Sequence, residues 1–334
     1  MRVKKLLSKP SLIGYGAVVG RRESEGPLSA DFDIHSTDEH FGMNTWEKAE
    51  SEMQRLAMNI ALAKSKLGAE SIDAVFSGDL QNQCVSSVFG LADFKIPFFG
   101  LYGACSTFAE ALMLSAMLVD SGKFEKCAAV TSSHFCAAER QYRFPLEYGG
   151  QRAPTAQRTV TGAGAAIIGA GGGNFPHITE VMPGRIVNKG ISDANNMGAA
   201  MAPAAIDTLR TYFEETGYSP KDLDLILTGD LGAEGHEIVL EYLLRYGIDI
   251  RENYNDCGLM IYDIGRQDMH AGGSGCGCSA SVVCGHIMKR FEKGELKKVI
   301  YVATGALMSP STSKQGLSIP GIAHLVRIES GGTQ

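Results

Sequence analysis

The chain has 334 residues, 44% of them hydrophobic and 20% charged, with 31 Lys and Arg against 37 Asp and Glu. A net charge of −6 offers no basic stripe for a phosphate backbone, so nucleic acid is not an expected partner. The length exceeds what one hydrophobic core usually fills, which implies two domains or one duplicated unit.

Residues 1–43 read as an irregular N-terminal segment with one strand-like run at 12–19. Its start is basic, but Ser8, Lys9 and Pro10 break the apolar run before a signal-peptide core forms. No later stretch is long and apolar enough to span a bilayer. The expectation is a soluble protein, or one held peripherally on a membrane. Asn44 followed by Glu47 reads as a capping box, and Trp46, Ala49, Met53, Leu56, Ala57, Ile60, Ala63 and Leu67 recur at helical spacing as far as Gly68. Residues 73–80 form a short strand ending in Gly-Asp, and 84–91 a helix.

The next stretch organises the rest. Residues 95–101 read as a buried strand, Gly103-Ala104 as a tight turn, and 107–120 as a helix whose only charges are Glu110 and Asp120. A helix so apolar must be covered on every side. Cys105 stands at its mouth, where helix-terminus N–H groups favour a thiolate. Residues 124–134 form a buried strand with His134 at its end. Residues 139–157 are polar and aromatic, and Pro145, Gly149, Gly150 and Pro154 predict a long loop carrying Arg140, Arg143 and Arg152. Residues 159–170 are a small-residue strand, and Gly171-Gly172-Gly173-Asn174 closes a first half, 44–174.

In the second half, 175–334, residues 203–217 predict a helix with Pro203 in its first turn and Gly217 at its end. Residues 224–231 (Asp-Leu-Ile-Leu-Thr-Gly-Asp-Leu) nearly repeat 73–80 (Asp-Ala-Val-Phe-Ser-Gly-Asp-Leu). One common interval carries Gly122, Lys126 and Val130 onto Gly294, Lys298 and Val302, and the Gly103 and Cys105 turn onto Gly275 and Gly277. Each half therefore holds strand, Gly-Asp end, glycine turn, apolar helix and strand in the same order, the mark of a duplication.

Repeated halves of this kind imply an α/β molecule with two sheets and helices between and outside them. With a Cys at the buried helix of the first half and a glycine turn in its place in the second, residues 45–330 resemble the thiolase fold of thiolases and ketoacyl synthases, a layered αβαβα core. At finer grain, several runs in order resemble a sporulation branch of that superfamily. They include Tyr102-Gly103-Ala104-Cys105-Ser106-Thr107, Thr131-Ser132-Ser133-His134, Glu147-Tyr148-Gly149-Gly150-Gln151, Met201-Ala202-Pro203-Ala204-Ala205, Ala271–Cys276 and Ser318-Ile319-Pro320-Gly321-Ile322-Ala323-His324. The resemblance implies a protein that binds dipicolinic acid (pyridine-2,6-dicarboxylic acid), free or with calcium. It further implies a homodimer, acting with the other subunits of a membrane channel complex at the inner membrane of the forming spore, with no cofactor of its own.

In catalytic members of the superfamily the Cys matching Cys105 is the acyl-accepting nucleophile. Here the partner residues differ. The thiolase Gly-His-Pro segment is replaced by His270-Ala271-Gly272-Gly273-Ser274-Gly275, and Ser318-Ile319-Pro320-Gly321 stands about where thiolases carry a second Cys. The nearest match to the His-Gln-Ala-Asn of ketoacyl synthase III enzymes is His236-Glu237-Ile238-Val239. Without an acid/base pair there is no route to polarise a carbonyl. The expected role is ligand binding, with Cys105 as the pocket floor; an acyl-transferring enzyme using Cys105 and His324 is the alternative.

The expected ligand residues are Asp79, Cys105, His134, Arg140, Arg143 and His324. His324 follows the loop at the thiolase active-site position, and His134 ends a strand facing it; His270 and His236 are rivals. Asp79 reads either as a ligand group or, like its counterpart Asp230, as a turn closed by an Asx bond. Arg140, Arg143, Arg152 and Arg158, interleaved with Tyr142, Phe144 and Tyr148, suit an aromatic dicarboxylate through guanidinium forks and ring stacking. The eight cysteines (84, 105, 127, 136, 257, 276, 278 and 284) lie mostly in apolar or glycine-rich runs, as reduced buried thiols do. Cys276, Cys278, Cys284 and His286 lack paired Cys-x-x-Cys spacing, so no metal site is expected. Residues 162–167 lack the third glycine of a dinucleotide fingerprint.

Overall fold

The structure is a computed structural model describing residues 1–143 and 146–332; Phe144 and Pro145 of the arginine-rich stretch lie outside the described residues. Ten strands carry the architecture. The N-terminal segment contributes β1 (Ser11–Val19), and the first half β2 (Ala74–Gly78), β3 (Phe98–Gly100), β4 (Lys126–Ser133) and β5 (Gly162–Gly169). The second contributes β6 (His177–Met182), β7 (Leu225–Thr228), β8 (Tyr254–Asp256), β9 (Lys298–Ala306) and β10 (Gly321–Glu329). Hydrogen bonding runs β8-β7-β9-β10-β6-β1-β5-β4-β2-β3. Read inward from either end, the order is two parallel pairings followed by two antiparallel ones. Within this strand order the two runs join where Ser11 of β1 pairs with His177 of β6.

The duplication reaches individual bonds. Asp73 Oδ2 accepts from the amides of Glu125 and Lys126, and Asp224 Oδ2 from those of Lys297 and Lys298. Each pair ties the foot of one parallel strand to the next.

Helices complete five layers. α1 (Trp46–Ser65) and α2 (Val85–Leu91) cover one outer face, with α1 against β1, β5 and β4. α3 (Thr107–Asp120) packs on β2, β4 and β5 on one side and on β9 and β10 on the other. α4 (Phe135–Tyr142) follows β4 toward the cleft. On the opposite outer face α5 (Met197–Thr216) lies on β9 and β10 and beside α6 (Gly232–Arg245). α7 (Cys276–Val282) is the second central helix and continues through a π turn into Met288–Glu292. Burial on all sides explains why α3 carries almost no polar surface. It also explains the small residues of β5: a Cβ on Gly164 would lie 2.4 Å from the Ala280 carbonyl of α7.

Several local expectations are corrected. Residues 12–19 are not an appendage to an irregular segment: β1 is a central strand, buried on both faces apart from Ile13, so its sequence lacks polar alternation. Residues 98–100 form a strand at the sheet edge, with Phe98 39% and Phe99 47% exposed, rather than a buried one. The cap of α1 is Thr45, whose hydroxyl accepts from Lys48 N, and the helix ends on left-handed Lys66 before Gly68 is reached. The predicted loop 139–157 opens as helix, through Tyr142. α5 begins at Met197 under an Asn196 cap, leaving Pro203 in its interior, while Gly217 closes it in the left-handed region.

Candidate ligand cavity

Cys105 sits in the short 3-10 turn Ala104–Ser106 that leads into α3, after left-handed Ala104 (φ 51°). The end of β9 presses on this turn; a Cβ on Gly305 would lie 2.2 Å from the Gly103 carbonyl. Opposite, the parallel pairing of Arg158–Thr159 with Gly273–Ser274 brings the first-half loop against the second-half glycine turn. Cys105 Sγ lies 3.9 Å from Ser274 Oγ. Ser274 Oγ donates to Asp230 Oδ2 (2.9 Å), as does Gly275 N (2.9 Å), while Thr304 Oγ1 donates to Asp230 Oδ1 (2.9 Å). Gln157 Nε2 donates to the carbonyls of Asp230 (2.6 Å) and Gly273 (2.8 Å).

These groups floor a cleft of about 640 Å³, counting all atom-free space to its open mouth. Leu80, Ala104, Ala138, Met197, Met201, Ala306 and Met308 form its apolar wall; Glu139, Tyr142, Arg143, Gln157, Thr159 and Ser274 form its polar side. The Tyr142 hydroxyl donates to the Leu80 carbonyl. Arg143 Nη1 is 3.1 Å from Glu139 Oε1. Burial raises the Glu139 carboxyl, and Arg143, Arg152 and Arg158 all pull it back down. Of these three arginines only Arg143 lines the cavity, where it is paired with Glu139. Arg158 lies 3.7 Å over the Phe135 ring, and Arg152 Nη2 donates to the Asp268 carbonyl (2.7 Å).

Of the six expected ligand residues, the structure brings Cys105 and Arg143 together in the cavity lining. The other four lie outside it. Asp79 closes its own turn: Oδ1 accepts from Gln81 N (2.8 Å), and Oδ2 from Ser87 N (2.9 Å) and Ser87 Oγ (2.7 Å). His134 Nε2 donates to the Glu39 carbonyl (2.9 Å), and burial lowers its pKa to about 4. Arg140 pairs with Glu47 and lies over the Trp46 ring. His324 Nδ1 accepts from Gly184 N (3.1 Å), and burial holds it near 4 as well. The rival histidines are also engaged elsewhere: His270 with the Ala153 carbonyl and Asp268, and His236 stacked on Tyr254. No histidine is among the described residues lining the cavity.

The thiol itself departs from the thiolate expectation. Burial, then the Asp230 carboxylate, push Cys105 well above an ordinary cysteine. The helix terminus is outweighed by desolvation and by the neighbouring Asp230 carboxylate. Cys276 Sγ donates to the Ser132 carbonyl and Cys284 Sγ to that of Ala165, while His286 pairs with Asp31. Among the described residues no three His, Cys, Asp or Glu side chains are placed to hold a metal. Ser274, Gln157 and Glu139 were not among the expected cavity groups, and the carboxylate beside the sulfur is Asp230, whereas Asp79, the expected ligand residue of the Gly-Asp pair, closes its own turn.

The family model described as stage V sporulation protein AD matches residues 1–329. The chain belongs to the stage V sporulation protein AD family. The stage V sporulation protein AD of Bacillus subtilis (strain 168) is 44% identical over 317 residues, covering 95% of this chain and 93% of that protein. Among solved structures, 3-oxoacyl-[acyl-carrier-protein] synthase III from Aquifex aeolicus VF5 matches with a TM-score of 0.59 at 15% identity, covering 95% of this chain and 99% of its own. OleA from Xanthomonas campestris matches at 0.62 and 14%, covering 98% and 100%. These likenesses establish the thiolase-like fold of this family member. Among the described residues no helix is long and apolar enough to cross a membrane.

Proposed function

We propose that the Cys105 cavity binds dipicolinic acid, free or as its calcium chelate, and that the protein serves the loading of that compound into the developing spore. It would work from the surface of the spore inner membrane with the other subunits of a channel complex. The observation that carries this reading is Arg143, set beside Glu139 on the polar side of a cleft whose other wall is apolar and whose floor carries small polar groups. Arginine forks match carboxylates bidentately, and the methionine wall suits the faces of a planar ring. Membership of a sporulation family supplies the biological setting.

A non-catalytic role is favoured by the surroundings of the sulfur. A Cys nucleophile needs a lowered pKa or an adjacent base. Cys105 has a raised pKa, and its hydroxyl neighbour Ser274 is turned to Asp230. A homodimer fits the edge at β3: its outer side pairs with no strand among the described residues, and Phe89, Phe98, Phe99 and Tyr102 are exposed around it. Such an edge invites antiparallel pairing with a second copy.

Titration calorimetry with dipicolinic acid, with and without calcium, tests the reading. Binding with a dissociation constant below about 1 mM, weakened about tenfold or more in Arg143→Ala, is expected. No heat at millimolar ligand would sink it. The alternative, an acyl-transferring enzyme, is kept alive by the acyl-carrier-protein synthase among the fold relatives. It requires a mass increase on Cys105 after incubation with acyl-CoA donors.

A further inference from the structure

The basic start of the chain takes no part in the cavity. The first 22 residues carry six Lys or Arg and no Asp or Glu, in a protein whose net charge is −6. Arg2 pairs with Asp207. Lys4 and Lys5 form a short strand antiparallel to β6, opposite Val181 and Glu180, and its outer edge pairs with no strand among the described residues. Both lysines are exposed, as is Lys9, and among the described residues none of the three is in an ion pair. The acids bordering this edge are engaged. Glu180 is buried and accepts from Tyr212 and Arg327, Asp120 accepts from Ser8 N (2.6 Å), and Glu329 pairs with Arg327 (2.7 Å). Leu7, 89% exposed, stands between Lys5 and Lys9. Phe175, 45% exposed, follows the loop Gly171-Gly172-Gly173, which packs on residues 8 and 9: a Cβ on Gly171 would lie 2.4 Å from the Ser8 carbonyl. Beside them Ser8, Lys9, Ser11, His177 and these glycines line a cleft of about 440 Å³, counting all atom-free space to its mouth, with no carboxylate among its described lining residues. The amides of Gly172 and Gly173 donate to no group among the described residues, which leaves them open to an anion.

Lysines alone are a common guard of an open strand edge. Large apolar side chains left in water among them are not, and the combination is that of a surface that meets lipid headgroups. Resting on the membrane-surface setting of the proposed function, but not on the identity of the cavity's ligand, we propose that this edge docks the protein directly on an anionic lipid surface. Lys4, Lys5 and Lys9 meet headgroup phosphates, one of which enters the cleft between Lys9 and the glycine loop, and Leu7 and Phe175 insert at the acyl boundary. Successive strand residues point to opposite faces, so Lys4 and Lys5 spread charge to both sides of the edge, where a plane of headgroups reaches both.

Co-sedimentation of the full chain with unilamellar vesicles tests this, using phosphatidylglycerol mixed equally with phosphatidylcholine, and phosphatidylcholine alone. Partition onto the mixed vesicles should exceed that onto phosphatidylcholine by about tenfold or more, and fall as salt rises. Each lysine at the surface supplies about fivefold, so Lys4→Gln/Lys5→Gln/Lys9→Asn should lose at least about tenfold. Asn tolerates the left-handed backbone at position 9 (φ 51°). Leu7→Ser should lose about threefold with little change in salt dependence. The same charge change on other exposed lysines, Lys48→Gln/Lys189→Gln/Lys314→Gln, should leave partition within about twofold. Urea midpoints matching the unmodified chain show that each variant is folded. No binding to either vesicle, equal binding to both, full binding by the first triple variant, or equal losses in the two triple variants overturns the inference. Dipicolinic acid titrated into the same proteins separates this surface from the cavity. Unchanged ligand binding in the variant that no longer partitions is expected. An unmodified chain that binds dipicolinic acid but no vesicle removes the lipid surface and leaves attachment through another protein; one that partitions but binds no dipicolinic acid keeps the lipid surface and removes the cavity reading.

Discussion

Asp230 is 1% exposed and accepts from Ser274, Gly275 and Thr304, so truncating it strands three donors at the base of the cavity. Asp230→Ala is expected to lower stability by about 3 kcal/mol, read from urea denaturation, whereas Cys105→Ala, which removes one sulfur from the wall, should cost about 1 kcal/mol. A cost for Asp230→Ala no larger than that for Cys105→Ala would contradict this ranking. The same carboxylate and the burial of the sulfur keep Cys105 protonated. Iodoacetamide should therefore modify it at pH 7.5 at least about tenfold more slowly than a free cysteine, as peptide mass mapping would show; preferential labelling of Cys105 would restore the activated thiolate. The sequence made Cys105 and Arg143 legible because the turn motif and the charged stretch each stand out locally. Ser274, Gln157 and Asp230 were not, since their positions depend on pairing between distant segments at Arg158–Thr159 and Gly273–Ser274. His324 misled for the same reason: its place in the chain suggested the pocket, but β10 hydrogen-bonds it to Gly184.

At the scale of elements, α3 was read from the sequence with its observed limits, Thr107–Asp120, because a nearly all-apolar run between a turn and Gly122 admits one solution. The edge β3 was misjudged because an apolar run does not by itself show whether neighbouring strands flank it on one side or on both. β1 was underweighted since it lacks alternation when both faces are buried. The close packing of α7 on β5 gives a direct test. Gly164→Ala would place a methyl 2.4 Å from the Ala280 carbonyl, and should destabilise the chain by about 3 kcal/mol, or prevent folding. Gly149→Ala, with nothing within 4 Å of the added methyl, isolates the backbone effect of a positive φ and should cost about 1 kcal/mol. Equal losses for the two would mean that the central helix does not approach the sheet this closely.

For the whole molecule, buried acids set the dependence of stability on pH. Glu50 is sealed with Asp79 nearby; burial first, and then that neighbouring charge, raise its pKa to about 8 from 4.5. Burial also raises Glu23 to about 7. The folded chain therefore holds protons that the unfolded chain releases from about pH 4.5 upward. This contribution is complete below the unfolded value and is lost as pH rises to about 8 for Glu50. His134 and His324, lowered to about 4, act oppositely, but only below about pH 6.5. Urea midpoints should thus fall between pH 6.5 and 8, and Glu50→Gln should flatten that slope; a midpoint that rises over this window contradicts the assignment. Two pseudo-equivalent halves leave one cavity with Cys105 because the corresponding second-half position is Gly277, whose added Cβ would lie 2.2 Å from the Gly162 carbonyl. The central claim is that this single cavity receives a ligand and performs no acyl chemistry. A crystal structure of the protein grown with dipicolinic acid tests it most directly. The ring is expected between the methionine wall and the Cys105 floor, with one carboxylate on Arg143 and an unmodified sulfur; ligand bound elsewhere with this cavity vacant, or an acyl group on Cys105, would contradict that claim.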